Sequence, residues 1–216
     1  MSLVALLLGL LPAGRFKNRV LSLVPGWWVH PRAAVDPVVL WRVRNLEVGE
    51  GAHLGPGTIF RDLDRIRLGD GAGIGQFNWI TCSPRLVDAG GANLELADGA
   101  AITSRHYVDC TGGVTIGPRS IVGGVRSSLL THQIEVTVSV VRPAGIEIGA
   151  ECLISTNVVI TPGRRVTDRC IVAAGAVVGT DLLEPESLYG GVPARRLGSR
   201  SGSAYFERTR GEVSGE

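Results

Sequence analysis

The sequence predicts an all-β solenoid in which short parallel strands stack to form the three walls of a prism. Two observations lead to this fold class. Aliphatic residues recur at every sixth position over much of the chain, and glycine accounts for 30 of the 216 residues, about twice the usual ~7%. Aromatic residues make up only 5% of the chain, which argues against an ordinary β-sandwich or helical bundle. We therefore expect one solenoid domain.

The six-residue period is clearest between Ile148 and Val178, where the aliphatic positions follow one another without a break. Less regular hexads precede this stretch from Leu46 onward. A period of six fits neither a helix nor an uninterrupted strand, because each unit combines a short strand with a corner. The aliphatic side chain should point inward, and glycine should supply corner conformations. Three units close one coil, so the hexads predict a little over five coils.

The four cysteines favour a structural role in a reducing compartment. Cys82, Cys110, Cys152 and Cys170 show no CxxC spacing, and their density is too low for a disulfide-stapled domain. Cys152 and Cys170 are separated by one full coil of three hexads, and each holds the fifth place of its hexad. We expect these two to stack as small core residues and the protein to be cytoplasmic.

Charge and hydropathy exclude two classes of function. The formal net charge is +2 and the basic residues are scattered, so nucleic acid is not an expected partner. No apolar run approaches the ~18 residues that a membrane span needs. The apolar stretch from Val4 to Leu11 predicts a short helix that docks on the protein body or on a membrane surface. Such a segment would suit a peripheral enzyme at the inner face of the membrane.

The pattern divides the chain into three parts. Residues 1–45 form an N-terminal cap with helical or irregular structure, residues 46–198 form the solenoid, and residues 199–216 form a flexible tail. The repeat loses its phase between Val122 and Ile148, which predicts an excursion near residues 127–146. An insertion of this length in a compact solenoid is more often functional than decorative. Its most reactive member is His132.

The best hexads and the segment after them carry a family resemblance. The segments IGAECLI (148–154), VVITPG (158–163), VAAGAVV (172–178) and YGGVPARR (189–196) resemble the hexapeptide-repeat, left-handed β-helix acyltransferases. The nearest likeness is to maltose and galactoside O-acetyltransferases and to the acetyltransferases of capsule and exopolysaccharide assembly. This resemblance covers residues 46–198. It implies a left-handed coil, a homotrimer and acetyl-CoA as the acyl donor.

The resemblance also implies that His132 is a general base, because similar enzymes carry their catalytic histidine on such an excursion. An acyl thioester is already activated, so the enzyme must position an acceptor hydroxyl and remove its proton. The sequence has no GxSxG elbow or Cys/His pair, which favours direct transfer over an acyl-enzyme. Glu135 and Asp109 are both candidates to orient the His132 ring, and the sequence does not choose between them.

The resemblance and the hexad pattern also suggest residues that bind the acyl donor and the acceptor. In similar enzymes the late coils and the proline turn after them form the coenzyme A groove, which corresponds here to Ser155, Thr156, Ala173, Gly175, Arg195 and Arg196. His106 occupies a fifth hexad place that normally holds a small residue. We therefore take His106, with Tyr107 and Arg126, as candidates for binding the acceptor. No metal site is expected.

The predicted function is transfer of an acetyl group to a saccharide hydroxyl in surface-polysaccharide or glycolipid assembly. An amine acceptor would keep the same base and the same donor groove. Two other classes remain open. A γ-carbonic-anhydrase-like zinc enzyme would need about three histidine ligands per metal, and the chain has four histidines, none in a close HxxxxH pair. A scaffold without catalysis is the third alternative.

Overall fold

The computed structural model describes residues 2–83, 85–86 and 91–208, and three sheets wind around one apolar core. Sheet 1 contains β1 (Trp27–Val29), β4 (Asn45–Val48), β7 (Arg65–Leu68), β10 (Asn93–Leu96), β13 (Val114–Ile116), β18 (Ile146–Ile148) and β21 (Arg165–Val166). Sheet 2 contains β2 (Ala34–Val35), β5 (His53–Leu54), β8 (Gly73–Ile74), β11 (Ala101–Ile102), β14 (Ile121–Val122), β19 (Leu153–Ile154), β22 (Ile171–Val172), β24 (Ser187–Gly190) and β25 (Arg195–Ser199). Sheet 3 contains β3 (Val39–Trp41), β6 (Ile59–Arg61), β9 (Trp79–Thr81), β12 (Tyr107–Asp109), β15 (Ser128–Leu129), β20 (Val159–Ile160) and β23 (Val177–Val178).

Each coil passes once through the three sheets, and sheets 1 and 3 have seven strands each over the described residues. The first coil begins at Trp27, because β1 pairs in parallel with β4. The boundary expected at residue 46 is therefore too late, and the expected count of about five coils is too low. In this first coil, His30 and Asp36 directly follow the inward-pointing Val29 and Val35, at the place where the hexad pattern often has glycine.

The aliphatic positions of the repeat point inward, as the pattern predicts. The six that continue without a break are each at most 2% exposed: Ile148, Ile154, Ile160, Val166, Val172 and Val178. Cys152 and Cys170 are fully buried free thiols on successive coils, and burial raises the pKa of Cys152 to about 12 and that of Cys170 to about 11. Their structural role is confirmed.

Coil length varies along the solenoid, which explains why the repeat is hard to follow upstream. In the regular part, Leu153 pairs with Ile171, a step of three full hexads. The earlier step from His53 to its partner Gly73 is longer than three hexads. The step between the third and fourth coils is longer again, because Trp79 pairs with Tyr107. The extra length of that coil lies at residues 82–92, an insertion that the sequence pattern does not single out.

The excursion predicted near residues 127–146 is an antiparallel hairpin, narrower than expected. It consists of β16 (His132–Glu135) and β17 (Val140–Pro143). Ser128 and Leu129 still belong to the prism, because they pair in parallel with β12 and β20. The chain therefore leaves sheet 3 only after Leu130 and rejoins sheet 1 at Ile146.

Both ends of the solenoid carry additional structure. The helices α1 (Ser2–Gly9) and α2 (Arg15–Leu21) precede the first coil, and α1 packs against β3. No helix in the described part of the chain is long and apolar enough to cross a membrane. At the other end, β25 pairs antiparallel with β24. Phe206 is 2% exposed and the Tyr205 hydroxyl donates to the carbonyl oxygen of Cys152 at 3.1 Å. The part of the predicted flexible tail around these two residues is therefore packed against the solenoid. The rest of that predicted tail, residues 209–216, lies outside the described residues.

His106 is part of the corner packing, which corrects its predicted role in binding the acceptor. Its side chain is buried. Nε2 is 2.9 Å from Oγ1 of Thr103, and Nδ1 accepts from the backbone N–H of Ser127 at 3.1 Å. Thr103 itself donates to the carbonyl oxygen of Gly124, so it accepts from Nε2. A histidine fits this small-residue place because both ring nitrogens have partners, and burial lowers its pKa to about 4.

We expect this histidine to make the free energy of unfolding depend on pH. The folded-state pKa of about 4 lies below the ordinary value of about 6.5, so the unfolded chain binds the proton first as the pH falls. The contribution of His106 is complete above pH ~6.5 and is lost towards pH ~4, by up to ~1.4 kcal/mol per pH unit. His106→Asn keeps an acceptor for Ser127 but cannot titrate.

Urea unfolding of the wild type and of His106→Asn at several pH values between 7 and 4.5 measures this contribution. Carboxylates titrate in both proteins, so the difference between the two pH dependences isolates the imidazole. Parallel curves for the two proteins would contradict the expectation.

Candidate active site

The candidate site lies where the hairpin leaves the prism, at the corner between sheets 3 and 1. There Nδ1 of His132 is 2.7 Å from Oδ2 of Asp109. Asp109 ends β12, and His132 begins β16 one coil later. Stacking of successive coils therefore brings the two together, and Asp109 is the predicted orienting residue that contacts the ring.

The Asp109 carboxylate is buried but well supplied with donors; its side chain is 2% exposed. Thr111 donates to Oδ1 through its backbone N–H at 3.1 Å and its hydroxyl at 2.5 Å. Thr131 donates to Oδ2 through its N–H at 2.8 Å, and its hydroxyl lies 2.8 Å from the carbonyl oxygen of Asp109 and 3.0 Å from Oδ2. Burial disfavours the charge, yet the donors of Thr111, Thr131 and His132 outweigh it and hold the pKa of Asp109 below its ordinary value.

This arrangement assigns the tautomer of His132. An ionised carboxylate only accepts hydrogen bonds, so Nδ1 of the neutral ring carries the proton and Nε2 does not. The His132 side chain is 37% exposed, which leaves the ring open to a substrate. A fixed imidazole with an unprotonated Nε2 is the form that can act as a general base.

Glu135 does not orient His132, although it is close in sequence. Successive side chains of a strand point to opposite faces, so residues 132 and 135 of β16 face apart. Glu135 instead forms an ion pair with Nε of Arg142 on β17. The expectation for Glu135 is therefore wrong, and strand alternation is the reason.

The hairpin is fixed to the prism by a close approach at Gly112. A Cβ atom at this position would lie 2.6 Å from both the carbonyl oxygen of Thr131 and the backbone nitrogen of Ala144. The same carbonyl oxygen accepts from the N–H of Ala144 at 2.7 Å, which joins the two ends of the excursion. Sequence reasoning missed Thr111, Gly112 and Thr131. The available signals were a threonine two residues after the aspartate and another directly before the histidine.

The outer face of sheet 3 adjoins the Asp109–His132 pair and carries aromatic side chains. Tyr107 lies two residues before Asp109 on the same face of β12, and Trp79 is its neighbour on β9. Tyr107 is 39% and Trp79 49% exposed. Two residues further along these strands, Asp109 is opposite Thr81 of β9, and Thr81 is opposite Arg61 of β6. Sequence analysis selected Tyr107 but missed Trp79 and Arg61. Coils of unequal length hide the fact that these two residues lie on strands next to β12.

The predicted donor residues of the solenoid gather at another corner, between sheets 2 and 3. The backbone N–H of Gly175 donates to the carbonyl oxygen of Thr156 at 3.1 Å, so these residues occupy successive coils. Ser155 and Ala173 each follow directly after a strand of sheet 2, β19 and β22. The structure therefore brings together four of the six residues predicted to bind the acyl donor. The corner formed by Ser155, Thr156, Ala173 and Gly175 is called the donor corner below.

The two arginines after the last coil differ from each other. Arg195 is exposed at the start of β25. Arg196 is engaged within the chain, because its Nε is 2.8 Å from Oε2 of Glu184 and donates to Oγ of Ser187 at 3.0 Å. Of the two, Arg195 is the better placed to receive a phosphate.

Arg126 also lies at the corner between sheets 2 and 3, where it adopts a positive φ of 63°. Its N–H donates to the carbonyl oxygen of Arg105. This corner precedes β15, and His132 follows β15, so the two lie at opposite ends of the strands of sheet 3. Within one chain, Arg126 therefore does not reach the His132 ring, and its role in binding the acceptor stays a prediction. The donor corner is separated from His132 in the same way.

Within the ranges that the structure describes, no three His, Cys, Asp or Glu side chains form a group able to hold a metal ion. The four described cysteines are all buried free thiols.

No protein-family model and no curated protein matches this chain, but solved structures share its fold. The hexapeptide-repeat acetyltransferase VCA0836 from Vibrio cholerae is 24% identical, with 62% of this chain and 73% of that chain covered and a TM-score of 0.52. A variant of AntD, an N-acyltransferase from Bacillus cereus in complex with dTDP-4-amino-4,6-dideoxyglucose and Coenzyme A, is 14% identical, with coverages of 74% and 86% and a TM-score of 0.60. The polysialic acid O-acetyltransferase OatWY is 11% identical, with 76% of each chain covered and a TM-score of 0.50. These likenesses confirm the predicted fold class, a left-handed parallel β-helix of the hexapeptide-repeat type.

Proposed function

We propose that this protein is an acetyl-CoA-dependent O-acyltransferase that uses His132 as general base and a saccharide hydroxyl as acceptor. The observation that carries the proposal is the His132–Asp109 pair at 2.7 Å, at the point where the hairpin leaves the coil. The fold adds support, since solved structures of acyltransferases share it.

The chemistry needs one proton acceptor that later becomes a donor. Nε2 of His132 takes the proton of the acceptor hydroxyl while the hydroxyl oxygen bonds to the thioester carbonyl carbon. The carbon–sulfur bond then breaks, and the imidazolium returns the proton to the departing thiolate. Throughout, the Asp109 carboxylate holds the ring and stabilises its positive charge.

Direct transfer is supported by the state of the nearby thiol. Cys82 is the cysteine whose side chain contacts Thr111, next to Asp109, and burial raises its pKa. A buried thiol with a raised pKa is a poor nucleophile, because the thiolate is the reactive form. An acyl-cysteine intermediate at this site is therefore disfavoured.

A saccharide acceptor is supported by the face of sheet 3 beside the site. Tyr107 and Trp79 offer two neighbouring, partly exposed rings on which a sugar face can pack. The guanidinium of Arg61 and the phenol of Tyr107 add hydrogen-bonding groups for hydroxyls. We place the acceptor on this face, between the hairpin and the first coils.

The homotrimer that the resemblance implies is part of the proposal, and two features of the single chain support association between copies. The hairpin carries exposed apolar side chains, with Ile134 at 65%, Val136 at 86% and Val138 at 53%, and an isolated two-stranded hairpin is marginal in water. In addition, the donor corner lies at the far end of sheet 3 from His132. A site assembled between two copies would cover the hairpin and bring the donor corner of one copy to the histidine of the next.

We also propose that the enzyme works in the cytoplasm, at a step of surface-polysaccharide or glycolipid assembly. The four buried free thiols support a reducing compartment.

His132→Ala tests the general base. We expect kcat for CoA release from acetyl-CoA to fall about 10²–10⁴-fold with the best acceptor from a panel of hexoses and amino sugars, because proton removal is lost. The matched control is His53→Ala, which removes a second histidine–aspartate pair, His53 Nε2 to Asp36 Oδ2 at 2.9 Å. Equal activity of His132→Ala and the wild type, or no acceptor-dependent CoA release by the wild type, would refute the proposal.

Asp109→Asn tests the positioning of the ring. An amide cannot accept from Thr111, Thr131 and His132 together, so Nδ1 of His132 loses its fixed proton and the other tautomer gains population. We expect kcat to fall about 10²–10⁴-fold with little change in the KM for acetyl-CoA. Nitrogen-15 NMR of the histidine rings should show the change of tautomer. Glu135→Gln is the control and should retain both activity and tautomer, whereas an unchanged tautomer in Asp109→Asn would contradict the assignment.

Complementation between subunits tests the shared site. Ser155→Trp fills the donor corner of one copy, and His132→Ala removes the base of another. Each variant alone should be inactive, but mixed trimers should regain activity because one interface then combines an intact His132 with an intact donor corner. Sedimentation of the mixed sample checks assembly. Mixed trimers without activity would show that base and donor corner do not come from different copies.

A further inference from the structure

The N-terminal helices present an apolar surface that the solenoid does not cover. One side of α1 lies on the body: Ala5 is buried, and a Cβ at Gly9 would be 2.6 Å from a carbonyl oxygen of the first coil. The opposite side carries Leu3 and Leu7, exposed by 65% and 58%, and Leu10, directly after the helix, continues their spacing and is 49% exposed. A helix with apolar residues on all sides is normally buried. The exposed side of α1 is therefore a candidate surface for binding a partner.

The second helix extends the same cap and adds positive charge. α2 packs against α1 and contributes Phe16, which is 75% exposed. Arg15 and Arg19 are exposed beside it. No acidic residue occurs in residues 1–35. Leu3, Leu7, Leu10, Phe16 and the two arginines are called the N-terminal surface below.

A buried lysine fixes the orientation of this surface. Nζ of Lys17 donates to the carbonyl oxygens of Gly9 at 2.7 Å and Leu11 at 2.8 Å, at the end of α1. It also donates to the carbonyl oxygen of Asp36 in the first coil at 2.9 Å. These bonds tie both helices to the prism, so the leucines are held outward and cannot fold back onto the core.

We propose that the N-terminal surface docks onto an anionic lipid bilayer. The leucines and Phe16 enter the boundary between head groups and acyl chains, and Arg15 and Arg19 contact lipid phosphates. Apolar burial and attraction to anionic lipids act together in interfacial helices. A second copy of the chain docked through the same surface is a poorer occupant, because a two-fold contact sets the two N-terminal surfaces against each other. That surface offers the arginines no acidic partner, since residues 1–35 contain no Asp or Glu.

Flotation of the full chain with lipid vesicles tests the proposal. We expect binding to vesicles of equal parts phosphatidylcholine and phosphatidylglycerol, weakened by salt, and little binding to phosphatidylcholine alone. Leu3→Gln/Leu7→Gln should weaken binding by about tenfold or more, because two leucines lose their burial. Arg15→Gln/Arg19→Gln should weaken it by about tenfold or more and reduce its salt dependence. Leu183→Gln, at a leucine beyond the last coil that is 64% exposed, is the matched control and should bind like the wild type.

Wild type that stays unbound with the anionic vesicles would overturn the proposal, and so would equal binding by the wild type and both double variants. A sedimentation mass that rises with protein concentration, falls in Leu3→Gln/Leu7→Gln and is accompanied by no vesicle binding would identify a second copy as the occupant instead. Circular dichroism checks that each variant remains folded. The assay contains no acyl donor, so its outcome is independent of acyl transfer.

Discussion

The geometry of the candidate site depends on one buried carboxylate, that of Asp109. A charge without partners in such a place would cost several kcal/mol. Thr111 comes from the same coil as Asp109, whereas Thr131 and His132 come from the next. The Asp109 carboxylate therefore receives all of these hydrogen bonds only when the two coils are stacked in register. The stacking of these two coils therefore also orients the imidazole and favours the tautomer with the proton on Nδ1.

The regular part of the fold could be predicted from the sequence because its cause is periodic. From Ile148 to Val178 strand and corner alternate at a constant step, and every sixth residue is a buried aliphatic one. The first coil could not be predicted in this way, since His30 and Asp36 stand where the pattern often has glycine. The insertion at residues 82–92 was hidden for a related reason: it lengthens the step between two coils, and a search for a fixed period does not register it.

The candidate site was predictable only in part. In a solenoid, the residues that touch are set by how successive coils are aligned, and not by their distance along the sequence. Proximity in sequence favours Glu135 over Asp109, yet Glu135 is on the wrong face of its strand and pairs with Arg142. His106 looks like a misfit until the partners of both ring nitrogens are seen. Arg196 looks like a free cation until Glu184 is placed beside it. In each case the role of the side chain depends on a neighbour in space. The hexad pattern does not predict which residue that neighbour is.

The last strand of sheet 2 reverses direction, and this has a consequence for solubility. A stack of parallel strands ends in rows of backbone groups that could recruit further strands. β25 runs antiparallel to β24 and covers that row in sheet 2, while α1 packs against β3 at the other end of the stack. At these two places another chain cannot simply continue the parallel stack.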